Sequence, residues 1–229
     1  MLVLALDTSG GAVTVALHDG GAVVARRSTL DARRHAELLA PSIAAVLDEA
    51  GVPRTQLTSV AVGVGPGPFT GLRAGVVTAR VLGLALGVEV VGVCSLDALA
   101  LQVAPELLGD GSGGGSGGRF AVATDARRHE LYWALYEPGV DGVPRRLDGP
   151  AVTAPAELPK GVPVVGRGAT LYPDVFAPPP GPLDVEAGAV AELAVRGLAA
   201  DRAGLLPPEP LYLRRPDAVP PAARKRVLT

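Results

Sequence analysis

The chain has 229 residues, 48 % of them hydrophobic, and a formal net charge of -2. This length and hydrophobic content suffice for one large domain or two small ones, and they exclude disorder as the general state of the chain. Because Lys and Arg do not outnumber Asp and Glu, the chain as a whole has no positive field with which to hold a polyanion such as RNA. A single cysteine, Cys94, excludes an internal disulfide, and three scattered histidines predict no metal cluster.

The N-terminal segment does not resemble a secretory signal. It has no basic leader, and Asp7 interrupts its apolar run. No uninterrupted apolar stretch reaches the roughly 20 residues that are needed to cross a bilayer. We therefore expect a soluble, cytoplasmic protein with no membrane partner.

The first 108 residues predict three strands, a helix, a strand, a helix, a strand and a short helix. The strands are predicted from continuous or alternating apolar runs, and the helices from apolar residues that recur with a period of 3.6. The first helix contains Pro41 and should be kinked there. Thr70 and Ser95 are the predicted N-caps of the second and third helices. The predicted strands cover 2–6, 12–18, 22–28, 59–64 and 89–93, and the predicted helices cover 33–50, 71–86 and 95–103.

A glycine- and serine-rich run at 109–118 divides the chain near its middle and predicts a flexible connector. The pattern then starts again, with predicted strands at 119–124 and 130–136, short pieces at 151–153 and 162–166, and one helix at about 185–201. Both halves open with an apolar strand that is followed by an aspartate, Asp7 or Asp125, and then by a tight polar turn. We infer an internal duplication with an abbreviated second half, and we predict domains at 1–108 and 119–229.

The most informative segment is a glycine- and proline-rich loop at 63–75 that leads from a strand into a helix N-terminus. Exposed amides and the helix dipole at such a place favour anions, but a tight strand-to-helix connection explains the loop equally well. The loop has neither the Lys-Ser or Lys-Thr pair of a P-loop nor the spacing of a dinucleotide fingerprint. Asp7-Thr8-Ser9 follows the first strand, at the position where actin-fold kinases and ATPases have a loop that faces phosphate. The same triplet could equally form an ordinary turn.

A row of small residues recurs every four positions along the second predicted helix. Such a row lets another backbone approach closely, and that backbone belongs either to a partner helix or to the protein's own sheet. The row consists of Gly71, Gly75, Ala79, Gly83 and Gly87.

The sequence contains little that could carry out catalysis. Gly114-Gly115-Ser116-Gly117-Gly118 matches a nucleophile elbow only formally, because it lies in the low-complexity run. Cys94 ends an apolar strand and is read as a small buried side chain. His35 is followed four residues later by Leu39, so no histidine pair at helical spacing is available for a metal. Arg127, in the turn after Asp125, could meet a phosphate, or the arginines of this turn could pair with Glu130.

Several blocks together resemble the TsaB family, and they run in family order over the whole chain. The glycine-proline block is the most specific of them. The blocks are LALDTS at 4–9, HAELLAP at 35–41, VGVGPGPFTGLR at 62–73, VCSLDAL at 93–99, TDARR at 124–128 and PLYLR at 210–214.

The resemblance implies an α/β protein with the actin-like ATPase (ASKHA) fold, built of two ribonuclease-H-like lobes with mixed sheets. It implies a non-catalytic role in making N6-threonylcarbamoyladenosine beside the transfer RNA anticodon, as the partner of a paralogous enzyme, TsaD. The family's TsaD carries metal on a His-x-x-x-His pair, whereas here the matching positions are His35 and Leu39. TsaE would dock on the heterodimer, a homodimer would form in isolation, and transfer RNA would be held only indirectly.

No metal or cofactor is expected on this chain alone, with ATP or ADP and a metal ion brought by partners. The partner interface implied by the resemblance comprises His35, Leu38, Leu39, Ser42, Gly71, Arg73, Gly75, Ala79 and Gly83. The candidate nucleotide or anion loop comprises Asp7, Thr8, Ser9, Gly65, Gly67, Thr70, Asp125 and Arg127.

Two other functions compete with this one. A small-molecule kinase or ATPase could use Asp7 and the 63–71 loop on an actin-like fold, although the abbreviated second lobe argues against it. A protease would need a nucleophile or a metal that the sequence does not offer.

Overall fold

A computed structural model describes residues 1–31, 34–108 and 118–214. Its first sheet has five strands in the order β3-β2-β1-β4-β5, with β1–β2–β3 antiparallel and β1, β4 and β5 parallel. These strands are Val3–Asp7 (β1), Ala12–His18 (β2), Val23–Leu30 (β3), Ser59–Gly63 (β4) and Glu89–Val93 (β5). The predicted meander and all five strands of the first half are confirmed to within about two residues.

Helices cover both faces of this sheet. The helices are His35–Glu49 (α1), Phe69–Leu86 (α2), Ser95–Leu108 (α3), Arg167–Thr170 (α4) and Ala187–Ala199 (α5). Alternate residues of β1 point to opposite faces, so that Leu4 and Leu6 pack towards α1 and α2, while Val3 and Ala5 pack towards α3 and α5. The strands β1, β2 and β4 are thus buried on both sides, whereas the edge strand β3 is mostly exposed.

The second sheet repeats the strand order of the first on a smaller scale, β8-β7-β6-β9. Its strands are Phe120–Asp125 (β6), Leu131–Glu137 (β7), Arg145–Thr153 (β8) and Val164–Val165 (β9). Asp7 and Asp125 are each the last residue of the strand that opens an antiparallel pair. The inferred duplication and the abbreviated second half are therefore confirmed, since α4 has one turn and β9 two residues.

The two halves are joined through α3, which packs between the sheets. Asp97 of α3 accepts a hydrogen bond from the Tyr136 hydroxyl at 2.7 Å and forms an ion pair with Arg146 at 3.1 Å. Phe120 and Tyr136 are stacked in the same core, with ring centroids 5.7 Å apart.

The C-terminal helix corrects the predicted domain boundary. Helix α5 lies in the second half of the sequence, but it packs on β1 and β2 of the first sheet, with Val190 and Ala194 in the shared core. His18 of β2 contacts Glu192 of α5 at 3.0 Å. Residues 119–229 are therefore not one separate lobe, and the predicted connector falls almost entirely in 109–117, outside the described residues.

Helix α2 begins two residues earlier than predicted. Its N-cap position is Pro68, in extended conformation, so that Thr70 lies inside the first turn and does not cap the helix. The helix ends at Gly87, whose φ of +67° is the left-handed conformation typical of a C-terminal glycine. Helix α3 likewise extends beyond the prediction, to Leu108.

The row of small residues on α2 faces the protein's own first sheet. A Cβ at Gly75 would lie 2.5 Å from Thr8 Oγ1, and a Cβ at Gly83 would lie 2.2 Å from Val90 Cγ2. The members Gly71, Gly75, Ala79 and Gly83 are all buried. The prediction that this row lies on a partner surface is therefore wrong, and close packing of α2 on its own strands explains the row.

By length and composition alone, α2 is the one helix of the described residues that could cross a membrane, with a mean hydropathy of 1.4 over 18 residues. It is one helix, it carries Arg73 and Arg80, and its small-residue side lies on the sheet. A core helix of a soluble protein passes the same test, so the finding is weak evidence for a membrane span.

We expect Gly75→Leu to lower the free energy of unfolding by about 1–3 kcal/mol, because the new side chain has no space against Thr8 and Leu6. The control is Ala85→Leu, an exposed position on the same helix, which should change it by less than about 0.5 kcal/mol. Urea unfolding followed by circular dichroism measures both. A Gly75→Leu chain as stable as the wild type would contradict the packing of this row.

Candidate functional site

The carboxylate of Asp7 is enclosed at the end of β1. It accepts hydrogen bonds from the Ser9 amide at 2.7 Å, the Ser9 hydroxyl at 2.7 Å and the Ser95 hydroxyl at 2.6 Å. Only 1 % of the residue is exposed. Burial raises the pKa of Asp7 above its usual value, and the hydrogen bonds from Ser95 and Ser9 oppose that shift only in part.

The glycine-proline loop after β4 packs directly on this carboxylate and on the turn that follows it. A Cβ at Gly63 would lie 1.7 Å from Asp7 Oδ2, and a Cβ at Gly67 would lie 2.2 Å from the Ser9 carbonyl oxygen. Gly65 has a φ of +95°, and its amide donates to the Ser95 hydroxyl at 3.0 Å. These glycines are required by close packing and by backbone conformation, and Gly65 and Gly67 are buried, so the loop gives no support to the anion-loop alternative.

A cleft of about 490 Å³ lies between the two halves of the molecule. It brings together Ser9 and Thr70 from the first half with Asp125 and Arg127 from the second. His35 and Gly71, predicted as interface residues, also line it. Four residues of the candidate anion loop, Asp7, Thr8, Gly65 and Gly67, do not line the cleft.

Both arginines of the described cleft lining are already paired with carboxylates. Arg127 forms an ion pair with Asp125 at 3.1 Å, and Arg167 Nε donates to Asp184 at 2.8 Å. Sequence reasoning missed Arg167 and Asp184. Arg167 could have been found from the internal duplication. It comes just after β9, and β9 lies beside β6 in the second sheet as β4 lies beside β1 in the first. These pairs leave little positive charge for a phosphate.

The turn from β6 to β7 is unusual in its backbone. Arg127, Arg128 and His129 have φ values of +61°, +56° and +59°, which non-glycine residues seldom adopt. The Arg127 amide donates to Asp125 Oδ1 at 2.7 Å. Arg214 forms an ion pair with Glu130 and donates to the Ala126 carbonyl at 2.9 Å. Glu130 is therefore the partner of Arg214, whereas Arg127 pairs with Asp125.

His35 and Leu39, the positions of the implied metal pair, both point into the protein. His35 Nε2 lies 3.2 Å from the Gly10 carbonyl oxygen, and Leu39 belongs to the core beneath α1. Leu38 and Ser42 are partly exposed. Within the described residues no group of three or more His, Cys, Asp and Glu side chains could hold a metal ion.

Cys94 is buried between α3 and the sheets, as the sequence predicted. Burial raises the pKa of its thiol to about 12. A thiol with that pKa is not a nucleophile at neutral pH.

The outward side of α2 exposes a continuous apolar stripe. Val77 and Val81 are 57 % and 58 % exposed, and Leu84 is 86 % exposed. Together with Arg73, Arg80 and the C-terminal residues Pro210 and Tyr212, they line a shallow groove of about 560 Å³. Exposed apolar side chains that lie together on one face, rimmed by polar residues, mark interaction sites in many proteins.

An aromatic and cationic cluster stands at the N-terminal end of this stripe. The rings of Phe69 and Tyr212 are stacked with centroids 5.3 Å apart, and the Arg73 guanidinium lies 4.0 Å from the centre of the Phe69 ring. Arg73 Nε also donates to the Tyr212 hydroxyl at 3.2 Å. Sequence reasoning found Arg73, but it missed Phe69 and Tyr212, which come together only in the folded chain.

Comparisons with known proteins agree with this architecture. The sequence model of the TsaD family, described as tRNA N6-adenosine threonylcarbamoyltransferase, matches residues 26–167. An uncharacterized protein of Mycobacterium tuberculosis is 44 % identical over 227 residues, which cover 95 % of this chain and 94 % of that protein.

Relatives with informative names are more distant. The tRNA threonylcarbamoyladenosine biosynthesis protein TsaB of Escherichia coli is 35 % identical over 158 residues, which cover 68 % of this chain and 63 % of that protein. The crystal structure of an uncharacterized protein with similarity to peptidase YeaZ from Pseudomonas aeruginosa has a TM-score of 0.76 at 30 % identity. It covers 93 % of this chain and 99 % of its own. The chain therefore belongs to the TsaB family and, more widely, to the family that the TsaD sequence model describes.

Proposed function

We propose that this chain is a non-catalytic partner subunit that binds and supports TsaD in transferring a threonylcarbamoyl group to the adenosine beside the transfer RNA anticodon. The observation that carries the proposal is the exposed apolar stripe of α2, formed by Val77, Val81 and Leu84. A family relative, from Escherichia coli, is named as a biosynthesis protein for this modification.

The stripe has the composition of a protein-binding surface. Covering apolar area contributes about 25 cal/mol per Å², and aromatic and arginine side chains dominate the binding energy of many interfaces. Phe69, Tyr212 and Arg73 provide such a cluster at one end of the stripe. The proposed interface shares Arg73 with the interface predicted from the sequence. It differs from that prediction by using the exposed side of α2 and not the buried small residues.

The state of Asp7 supports a non-catalytic role. A carboxylate that assists phosphate transfer must reach a metal ion or a nucleophile, but Asp7 has 1 % of its surface exposed and is held by Ser9 and Ser95. The two cleft arginines, Arg127 and Arg167, are neutralised by Asp125 and Asp184. Phosphate binding in this cleft would require these pairs to break.

Within this proposal, TsaE docks on the heterodimer, and the nucleotide and the metal ion of the reaction are brought by the partner subunits. Transfer RNA is held mainly by those subunits, consistent with the net charge of -2. A homodimer through the same stripe forms when the partner is absent.

The competing function is a small-molecule kinase or ATPase that uses the cleft between the halves. Its support is the cleft volume of about 490 Å³ and the chain position of Asp7. Magnesium-ATP turnover by the isolated chain would favour it over the partner-subunit proposal.

We expect Val81→Glu to weaken the one-to-one complex with TsaD, because it places a charge in the middle of the apolar stripe. The dissociation constant should rise at least tenfold, which corresponds to about 1.4 kcal/mol. Light scattering measures the mass of the complex, and threonylcarbamoyl transfer is assayed with TsaD, TsaE and either form of the chain.

Val140→Glu is the matched control, since Val140 is also exposed, at 81 %, but lies away from α2. It should bind and support transfer as the wild type does. If wild-type chain forms no complex with TsaD, the partner-subunit proposal fails whatever Val81→Glu does.

We expect Asp7→Asn to leave the chain folded and able to support TsaD. The pKa of Asp7 is raised above its ordinary value of 3.8, so the folded state binds more protons than the unfolded state as pH rises above that value. The wild type therefore loses stability relative to Asp7→Asn as pH rises above about 4 and through the raised pKa of Asp7. Urea unfolding of both proteins at several pH values measures the difference.

Asp7→Ala is the comparison for this variant, because alanine leaves the hydroxyls of Ser9 and Ser95 without their acceptor. It should be less stable than Asp7→Asn by about 1–3 kcal/mol. A difference between wild type and Asp7→Asn that grows in favour of the wild type with rising pH would contradict the raised pKa.

A further inference from the structure

The exposed side of α2 has positive charges and lacks negative ones. Its 18 residues, Phe69–Leu86, include Arg73 and Arg80 and no Asp or Glu. The groove beside it is lined by both arginines and by apolar or aromatic side chains, and none of the described lining residues is a carboxylate. The surface therefore combines an apolar stripe with an unbalanced cationic edge.

Neither guanidinium is neutralised within the described residues. Arg73 contacts the ring of Phe69 and the hydroxyl of Tyr212, both uncharged groups. Arg80 is exposed and forms no ion pair in the described part of the chain. The stack on Phe69 orients Arg73 along the groove before any partner binds.

Acidic groups on the adjacent helix α1 do not supply the missing charge. Glu37 is paired with Arg34 at 2.8 Å, and Glu49 is paired with Arg27 at 3.1 Å. Asp48, the third acidic residue of α1, is exposed and is not among the residues that line the groove. On the other side of the groove, Glu209 precedes the lining residue Pro210 and is exposed. Among the described residues, Glu209 is the carboxylate next in the chain to a lining residue, whereas the groove itself contains two arginines.

The free energy of binding at the α2 groove depends on the charge of the partner. An arginine that loses its water without gaining a carboxylate is costly to bury, and like charges brought together add to the cost. Two copies of this chain that meet through the groove bring four guanidinium groups together. A partner with carboxylates opposite Arg73 and Arg80 gains charge-assisted hydrogen bonds from the same residues.

We propose that Arg73 and Arg80 select an acidic partner face, so that this surface binds a TsaD-type paralogue carrying carboxylates there in preference to a second copy of the chain. This inference rests on the proposed function and specifies the chemistry of the partner. Nucleic acid is the other class that arginines could select. The stripe of Val77, Val81 and Leu84 favours protein, because a phosphate backbone does not cover aliphatic side chains.

The test compares three proteins: wild type, Arg73→Gln with Arg80→Gln, and Arg26→Gln with Arg54→Gln. The last pair removes the same charge from exposed positions on β3 and on the turn before β4. Calorimetric titration with the purified TsaD paralogue at 50 and 500 mM NaCl gives the dissociation constants. Sedimentation of each chain alone gives self-association, and thermal unfolding verifies that the variants are folded.

The wild-type dissociation constant for the paralogue should rise at least tenfold between the two salt concentrations. The α2 variant should bind at least tenfold more weakly at 50 mM NaCl, with little salt dependence, and should self-associate more tightly than the wild type. The control variant should behave as the wild type does.

Three results would overturn the inference. In the first, the α2 variant binds the paralogue as tightly as the wild type does. In the second, the wild type self-associates more tightly at 50 mM than at 500 mM NaCl. In the third, the variant binds the paralogue normally but loses binding to transfer RNA in a filter assay. Absence of any wild-type complex would instead refute the proposed function.

Discussion

The architecture depends on one close approach, that of the loop after β4 to the end of β1. No side chain fits between them, since a Cβ at Gly63 would lie 1.7 Å from the Asp7 carboxylate. Ser95, the first residue of α3, donates to that carboxylate and accepts from the Gly65 amide. The starting points of α2 and α3 are therefore set by the same few atoms, and the orientation of both helices on the first sheet follows from this contact.

Helix α2 shows how one element serves two surfaces. Its inward side needs glycine and alanine because the first sheet comes so close, and its outward side has valines and a leucine that the described part of the chain leaves exposed. Glycine costs helix propensity of up to about 1 kcal/mol at each site, so the inward contacts must supply a compensating free energy. Because the inward side packs closely on the sheet, the outward side is a preformed surface that would need little reorganisation on binding.

Local patterns predicted most elements, and long-range packing accounts for the failures. The strands 12–18 and 89–93 were predicted at their observed limits, because apolar runs bounded by turn residues report strands directly. The small-residue row was recognised as a contact ridge, but its spacing does not say whether the facing backbone belongs to the same chain. In the candidate site, Arg73 was found, while Phe69 and Tyr212 were missed because they are 143 positions apart and meet only through the tertiary fold.

The position of α5 has a consequence for how the chain reaches its native state. This helix is synthesised after all five strands of the first sheet, yet it closes one hydrophobic face of that sheet. During translation, the face of the sheet that contains Val3 and Ala5 remains incompletely buried until Val190 and Ala194 have been synthesised. A ribosome-bound fragment that ends at residue 108 would expose this apolar face. We expect chaperones to bind such a fragment until α5 has been synthesised and covers the face.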